Sequence, residues 1–232
     1  MRVPAFHTLP HECEFYFVRH GESESNAERR IQGHSDSPLS QLGRTHAQAA
    51  ARWLGTREID AVLSSPLSRA SETADVIARA VGVSEVETME DLIELDTGRF
   101  SGKRLRDMAT EDEELFRRFR VHSWEAVPDA ERVESLQRRA RSVWNRLLEL
   151  AQTGHRRIAS VTHGGMIQWL IKATVGSEEQ RWMPLFETSN CGIFLFTAQT
   201  TMPEPGTADE PPEPGTGYYG NWKLINFVPY ES

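Results

Sequence analysis

Two histidines of this chain stand where their side chains can act on an anion. The first, His20, follows a short and mostly apolar segment, residues 14–18, that reads as a buried strand. Open α/β sheets carry their chemistry at the carboxyl ends of strands, so Arg19 and His20 would set a fixed cation beside a nucleophilic imidazole. Gly21 allows a sharp turn and a close approach of the backbone to a ligand. This arrangement suits the transfer of a phosphoryl group to nitrogen.

The second histidine, His163, ends another apolar segment, residues 158–162, and is followed by Gly164 and Gly165. Residues 166–173 then read as a helix. The start of a helix offers free backbone N–H groups and the positive end of a dipole, which together bind anions. A single histidine at a strand end is more often structural, but two histidines in the same context favour a shared site.

A third strand end supplies a second candidate cation. The predicted strand 61–64 is followed by Ser65 and Pro66, which are a favourable N-cap and a favourable first helical residue. They predict a helix over 66–80, with Arg69 about one turn from its start. Such an arginine usually lies on the surface. The alternative is a guanidinium that binds the same anion, because its planar fork matches phosphate geometry.

The elements that would position these residues follow from local patterns. Ser40 can cap a helix that runs to about Gly55, and apolar residues at helical spacing predict the longest helix over residues 131–152. Two late strands are predicted at 192–197 and 221–228. The strand ends would then meet at one edge of a sheet.

Five motifs occur in a fixed order along residues 14–197. They are Arg19-His20-Gly21-Glu22-Ser23-Glu24-Ser25-Asn26, Asp36-Ser37-Pro38-Leu39-Ser40-Gln41-Leu42-Gly43, Ser64-Ser65-Pro66-Leu67-Ser68-Arg69-Ala70-Ser71-Glu72-Thr73-Ala74, Glu94-Leu95-Asp96-Thr97-Gly98 with Gly102, and Thr162-His163-Gly164-Gly165. In this order they resemble the histidine phosphatase superfamily, in the branch that contains cofactor-dependent phosphoglycerate mutases and related phosphatases.

The resemblance implies an α/β fold of the phosphoglycerate mutase type. This fold is a three-layer sandwich, in which a mostly parallel central sheet carries helices on both faces. We expect an N-terminal leader over residues 1–13 and a single domain over 14–232. The charged, irregular segment 103–130 is either a lid over the site or a solvated surface. Residues 198–217 read as a Pro- and Gly-rich acidic loop between the two late strands.

The resemblance also implies the roles of the site residues. His20 would attack phosphorus and carry a phosphohistidine, while Glu94 would donate a proton to the leaving oxygen and then activate water. Asp96 lies two residues further on and is the alternative acid. The groups expected to bind the phosphoryl oxygens are Arg19, Arg69, His163, Asn26, Ser23 and Gly164.

Composition limits the setting of this chemistry. A chain of 232 residues can bury a sizeable core, and its net charge of −8 argues against nucleic acid or an anionic membrane as partner. The start of the chain does not resemble a signal peptide, and no stretch is long and apolar enough to span a membrane. With only Cys13 and Cys191, a disulfide framework is not expected, and we predict a cytoplasmic protein.

Metal binding is not predicted. His7, His11 and Cys13 could act as ligands, but their spacing fits no closed structural zinc site. They are better explained as part of the leader. The cations needed for phosphoryl transfer are already present as arginines, so we predict an enzyme that uses no metal and no cofactor.

We therefore expect a metal-independent phosphatase that acts on a small phosphorylated metabolite. The sequence is compatible with a homodimer. A phosphoglycerate mutase is the enzymatic alternative. Ser25 stands where the mutase-like pattern often has tryptophan, and the segment from Glu94 to Glu134 is shorter than in the mutases. A non-catalytic phosphate-binding module is the third interpretation, which the intact set of candidate residues disfavours.

Overall fold

A six-stranded sheet lies between two layers of helices. The computed structural model describes residues 4–177, 181–200 and 218–230. The strands are β1 (Cys13–Arg19), β2 (Ala61–Ser64), β3 (Val86–Thr88), β4 (Arg157–Thr162), β5 (Ile193–Thr200) and β6 (Tyr218–Phe227). Their order is β3-β2-β4-β1-β5-β6. The first four strands in this order are mutually parallel, and β5 is antiparallel to both β1 and β6.

The described part of the chain forms seven α-helices, four of which cover the two faces of the sheet. The helices are α1 (Glu24–Ala27), α2 (Gln41–Leu54), α3 (Ser68–Val81), α4 (Leu105–Glu111), α5 (Glu113–His122), α6 (Val133–Gln152) and α7 (Gly164–Val175). The apolar sides of α2 and α3 share one core, and those of α6 and α7 share the other. This arrangement confirms the predicted three-layer α/β sandwich.

Strand β1 runs through the middle of the sheet and is buried on both faces, which explains its nearly continuous apolar sequence. Side chains alternate along a strand, so Phe15 and Phe17 face the α6–α7 layer, while Tyr16 and Val18 face α2 and α3. The ring of Trp144 on α6 lies 5.4 Å from that of Phe15 and 5.2 Å from that of Phe17. Replacing a buried tryptophan by alanine typically costs about 3–5 kcal/mol. The strand that carries the site is thus fixed from both sides.

The segment predicted as a leader, residues 1–13, contributes to the same core where it is described. Phe6 and Leu9 are buried, and the ring of Phe6 lies 5.2 Å from that of Trp144 and 5.0 Å from that of Phe196. Together with Ala5 and Cys13, which contact the same core, these side chains hold this part of the chain against the domain.

The start of α3 differs from the prediction. The helix predicted over 66–80 begins at Ser68, and its N-cap position is taken by Leu67, which offers no side-chain cap. The cap comes instead from a distant loop, because Asp36 Oδ1 accepts from the backbone N–H of Ser68 at 2.9 Å. Ser65 does not cap the helix, and its hydroxyl bonds within the site.

The other predicted elements agree more closely. The helices expected at 40–55 and 131–152 are α2 and α6. The strands expected at 192–197 and 221–228 are β5 and β6, and both strands are somewhat longer than predicted. Strand β3 was not predicted. It is short, half-exposed and lies at the edge of the sheet, so it shows no apolar run.

The segment 103–130, predicted to be a lid or a solvated surface, folds into α4, α5 and a short 3₁₀ turn, Ser123–Ala126. It surrounds a small core of its own, formed with the preceding turn. The buried members of this core are Phe100, Met108, Leu115, Val127 and Ala130. The segment is therefore packed in place, and closure over the site stays a prediction.

The acidic loop predicted at 198–217 is covered only at its start. Residues 198–200 belong to β5, and residues 201–217 lie outside the described part of the chain. Within the described ranges, no helix is both long enough and apolar enough to cross a membrane.

Candidate active site

The two strand-end histidines meet because β1 and β4 are parallel neighbours. Their register pairs Arg19 with Thr162, and the backbone N–H of His20 donates to the Thr162 carbonyl at 2.9 Å. The next residue of each strand is therefore a histidine. The ring centres of His20 and His163 lie 5.0 Å apart, with their planes at 59°. Both side chains are buried.

His20 lies at the inner wall of a cavity of about 290 Å³, which we call the central cavity. Its Nδ1 lies 2.6 Å from the Gly21 carbonyl oxygen, so Nδ1–H donates there and Nε2 keeps its lone pair. Burial and the nearby cations of Arg19 and Arg69 hold the pKa of His20 well below its ordinary value. The imidazole is thus neutral near pH 7, as a nucleophile must be.

His163 is fully buried beside His20 and does not line the central cavity. Its Nε2 lies 2.8 Å from Ser65 Oγ, while its Nδ1 has no hydrogen-bond partner among the described residues. Burial, with His20 and the two arginines nearby, also holds the pKa of His163 well below its ordinary value. The structure therefore pairs the two rings, and a direct contact of His163 with a phosphoryl group stays a prediction.

Arg69 is the second candidate cation, and its side chain is only 1% exposed, which excludes the usual surface location. Its two terminal nitrogens donate to the carbonyl oxygens of Ser35 and Gly33, each at 2.9 Å. A carboxylate oxygen of Asp36 is 4.0 Å away. The Nε–H is buried and has no partner among the described residues, although Arg69 lines the central cavity.

Arg19 is held in the same way on the other side of the cavity. One terminal nitrogen donates to the Thr188 carbonyl, and the buried Nε–H has no partner among the described residues. Burial lowers the pKa of Arg19 and of Arg69, but a guanidinium remains charged in proteins. Buried donors normally find partners. Two guanidinium groups that line one cavity indicate a site for an anion.

Glu94 reaches the central cavity from the loop that precedes α4. Its Oε1 accepts from the backbone N–H of Leu95 at 2.9 Å, and its Oε2 accepts from that of Gly165 at 3.2 Å. A Cβ at position 165 would lie 2.5 Å from Glu94 Oε1, so only glycine lets the carboxylate lie on the start of α7. The carboxylate thus faces the same space as His20.

Asp96, the alternative acid, is placed differently. Its Oδ1 accepts from the backbone N–H of Gly98 at 2.9 Å, and it does not line the central cavity. Its Oδ2 lies 4.0 Å from His34 Nδ1. Asp96 therefore stabilises the turn after Glu94, and the geometry favours Glu94 as the acid.

Asn26 and Ser23 have distinct positions. Asn26 lines the central cavity, and its Oδ1 accepts from the Ser23 N–H and from Asn190 Nδ2, each at 3.2 Å. Its own amide N–H₂ is thereby left for the cavity. Ser23 is fully buried, caps α1 through the Asn26 N–H, and lies 3.0 Å from Gln32 Oε1. Ser23 thus holds Asn26 and does not itself line the cavity, unlike the expectation from the sequence.

Gly164 lies at the cavity wall as expected. A Cβ there would come within 2.6 Å of Thr188 Oγ1, so the close packing of Thr188 against α7 requires glycine. This packing places the carbonyl that holds Arg19.

Some residues that hold the site were not predicted from the sequence. They come from the irregular stretch before β5, which has no hydrophobic periodicity that would mark it as an element. Asn190 Nδ2 donates to the His20 carbonyl at 3.2 Å, and the N–H of Cys191 donates to the carbonyls of Arg19 and His20. This turn fixes the backbone of His20.

The remaining lining of the central cavity mixes apolar side chains with the polar ones of Gln32, Thr97, Gln168 and Thr188. It also carries the cation of Arg30, whose Nε lies 2.6 Å from a Glu28 carboxylate oxygen. The apolar wall residues are Ile31, Leu95, Trp124, Met183 and Pro184.

The residues weighed as metal ligands serve other contacts. His11 Nε2 lies 3.1 Å from the His155 carbonyl, and Cys13 is buried at the start of β1. Among the described residues, no three His, Cys, Asp or Glu side chains come together as a metal site.

Comparison with known proteins agrees with this geometry. The model of the histidine phosphatase superfamily (branch 1) matches residues 15–204. The probable phosphoglycerate mutase GpmB of Salmonella arizonae is 38% identical over 165 residues, which cover 70% of this chain and 75% of that protein. The chain therefore belongs to the histidine phosphatase superfamily, as its motifs predicted.

Two solved structures of phosphatases are also similar. The mycobacterial glucosyl-3-phosphoglycerate phosphatase, solved with VO3, is 26% identical with a TM-score of 0.69, over 81% of this chain and 92% of that chain. A mutant phosphoserine phosphatase from Entamoeba histolytica, solved with phosphoserine, is 26% identical with a TM-score of 0.66, over 79% and 90%. The family thus includes relatives named for hydrolysis and for mutase activity.

Proposed function

We propose that this protein is a phosphomonoesterase that works through a phosphohistidine on His20 and acts on a small phosphorylated metabolite. One observation carries the proposal: the guanidinium groups of Arg19 and Arg69 line one cavity beside an imidazole that is kept neutral. A dianionic phosphoryl group in this cavity would be held by both cations. Donors that are already in place where charge develops usually supply the largest catalytic contribution.

In the first half of the reaction, Nε2 of His20 attacks phosphorus in line. The P–N bond forms as the bond to the ester oxygen breaks, and Glu94 gives its proton to the departing alkoxide. In the second half, Glu94 takes a proton from water, the resulting hydroxide attacks phosphorus, and the P–N bond breaks to release inorganic phosphate. Arg19 and Arg69 bind the phosphoryl oxygens in both halves, so no metal or cofactor is required.

The second candidate function is a phosphoglycerate mutase, since the GpmB relative is named as a probable mutase. A mutase must bind a second acid group and keep water from the phosphohistidine. Of the residues that line the central cavity, Arg30 is the one cation besides Arg19 and Arg69. It already pairs with Glu28 and donates to the Gly102 carbonyl at 2.9 Å. This lining supports hydrolysis over transfer to a second phosphoglycerate.

The apolar wall narrows the class of substrate. Trp124 and Met183 face the leaving-group side of the cavity together, because the Ser123 hydroxyl bonds both the N–H and the carbonyl of Met183 at 3.1 Å. A leaving group with an apolar face would fit this wall better than one with several charges. Because Arg30 is the one further cation of the lining, the proposed substrate is a monophosphate with at most one further acid group.

We also propose a cytoplasmic protein that binds neither nucleic acid nor membranes. The acidic composition supports a protein without nucleic-acid or membrane partners, and the two buried, unpaired cysteines fit a cytoplasmic location.

A screen of phosphomonoesters tests the proposal. Phosphate release is measured with excess chelator, and the same mixtures are assayed for interconversion of phosphoglycerates with and without a bisphosphoglycerate. Phosphate release that survives the chelator and is lost in His20→Ala is the expected result. Interconversion faster than phosphate release would establish the mutase instead. Oxyanion binding without turnover of any ester would leave only the non-catalytic module.

A further inference from the structure

A largely buried ion pair, formed by Arg139 of α6 and by Glu131 just before this helix, binds the loop that carries Glu94. Arg139 faces Glu131 in a bidentate contact, with NH2 to Oε2 at 2.5 Å and Nε to Oε1 at 2.9 Å. Both side chains are only 12% exposed. Two charges this deep lose much of their hydration, and apolar residues in such places are often equally stable. The pair is therefore better explained by what it holds than by its own contribution to stability.

Arg139 binds the loop on the N-terminal side of the proposed acid. Its NH1 donates to the carbonyl oxygens of Ile93 at 2.7 Å and Asp91 at 3.1 Å. Its NH2 lies 3.4 Å from the carbonyl oxygen of Glu94 itself. A single rigid guanidinium thus contacts three backbone carbonyls of the loop while it also pairs with Glu131. A lysine, which has only three donors on one nitrogen, could not do this.

Glu131 binds the loop on the C-terminal side. Its backbone N–H donates to the Asp96 carbonyl at 2.9 Å, and its Oε2 lies 3.4 Å from the Asp96 N–H. Ser135 Oγ donates to Oε1 at 2.7 Å and fixes the carboxylate. Although burial opposes it, the bonds from Arg139 and Ser135 hold the pKa of Glu131 below its ordinary value, so the carboxylate stays charged. The backbone is thereby held on both sides of Glu94.

We propose that Arg139, oriented by Glu131, is a positioning residue for acid catalysis: the pair sets the backbone of residues 91–96 so that the Glu94 carboxylate lies over the start of α7. Neither residue of the pair lines the central cavity, and neither touches the reacting atoms. The inference rests on the proposed function, in which Glu94 protonates the leaving oxygen.

The dependence on the leaving group provides the test. An alkyl alkoxide needs a proton to depart, whereas a nitrophenolate barely needs one. Arg139→Met keeps an unbranched side chain that packs like the arginine stem and removes every donor. In single-turnover phosphorylation of the enzyme, this variant should lose at least about 10-fold more rate on an alkyl phosphate than on an aryl phosphate, since misplacement by about 1 Å can cost about 10²-fold. Inhibition by inorganic phosphate should change less than about twofold, because Arg19 and Arg69 are untouched.

Arg146→Met is the matched control. Arg146 lies on the same helix and pairs with Glu87 at 2.8 Å and with Glu149 at 3.1 Å, away from the loop. It should leave the alkyl-to-aryl ratio unchanged. The double variant Glu131→Met/Arg139→Met removes both charges and keeps the test valid if the single variant does not fold.

The outcomes separate this inference from the proposed function. Equal losses on the two substrates in the Arg139 variants, with a selective loss in Glu94→Gln, would overturn the positioning role alone. Equal losses in Glu94→Gln itself would remove Glu94 as the acid, and the proposed mechanism would fail with it. Selective losses in both, and none in Arg146→Met, are the expected result.

Discussion

His20 is kept neutral by burial and by two neighbouring guanidinium groups, which lower its pKa well below the ordinary value of 6.5. The same cations that would bind the phosphoryl group therefore also prepare the nucleophile. Neither effect can be inferred from composition, because the chain as a whole is acidic. Both follow from the burial of His20 and from the positions of Arg19 on β1 and Arg69 on α3.

This lowered pKa predicts a pH dependence of stability. Below about pH 6.5 the unfolded chain binds a proton at His20 that the folded protein does not bind, so the free energy of unfolding falls as the pH falls. From about pH 6 to about pH 5 the loss from this one group is about 1 kcal/mol. Urea denaturation at the two pH values should show a smaller loss in His20→Gln by that amount. His7→Gln, at an exposed histidine, is the control and should behave as the unaltered protein. Equal losses in all three would show that His20 titrates normally.

Arg69 gives the second prediction for a single residue. Arg69→Lys keeps the charge but loses the planar guanidinium group, which donates to the carbonyl oxygens of Ser35 and Gly33. The Nε–H, which has no partner among the described residues, is lost with it. A lost hydrogen bond to a charged group is worth about 1.5–3 kcal/mol, so competitive inhibition by phosphate or vanadate should weaken about 10-fold or more. Arg44→Lys, at an exposed arginine paired with Glu72, should not change the inhibition constant. Unchanged inhibition in the Arg69 variant would mean that this residue does not bind the anion.

Among the strands and helices, the sequence predicts those elements whose position depends on a local pattern of residues. The apolar runs of β1 and β4 and the amphipathic period of α6 mark these elements directly, and parallel pairing then brings the histidines together. The start of α3 was predicted wrongly, because its cap comes from Asp36, far away in the sequence. Likewise, nothing local marks the turn at Asn190 that holds the His20 backbone, since its partners lie about 170 residues earlier.

The start of α7 yields a prediction for that helix. In Gly165→Ala the added Cβ would lie 2.5 Å from Glu94 Oε1, so the carboxylate must move. Phosphorylation by an alkyl phosphate should slow by about 10²-fold, with a much smaller effect for an aryl phosphate. Gly55→Ala, at the end of α2, has negative φ and looser surroundings, and should have little effect. A Gly165→Ala enzyme with native rates on both esters would show that Glu94 is not needed where the structure places it.

Taken over the fold, the central cavity is assembled from segments that lie far apart in the chain. The phosphoryl end comes from strand ends, which the motifs predicted. The leaving-group end comes from the 3₁₀ turn at Ser123–Ala126 and from the stretch before β5, where Trp124 and Met183 meet. Their pairing through Ser123 is a tertiary contact without a sequence signature. The residues of the proposed chemistry were therefore predictable from the sequence, and the surface proposed to select the substrate was not.

A substitution at Trp124 tests whether the two ends of the central cavity bind their ligand groups independently. Trp124→Ala should raise KM for an aryl phosphate about 10-fold, because it removes an apolar wall from the leaving group. Inhibition by inorganic phosphate, which occupies only the phosphoryl end, should stay within about twofold. A thermal melt confirms that the variant is folded. A parallel loss of phosphate binding would show that the two ends of the cavity are not independent.

The covalent intermediate tests the central claim most directly. The enzyme is mixed with a phosphomonoester labelled in its phosphoryl group, quenched within the first turnover and digested, and the labelled peptide is identified. Our account predicts acid-labile, base-stable label on the peptide that contains His20, undiminished by excess chelator and absent from His20→Gln. Label on the peptide that contains His163, acid-stable label on a hydroxyl or carboxyl group, or turnover without any trapped label would contradict it.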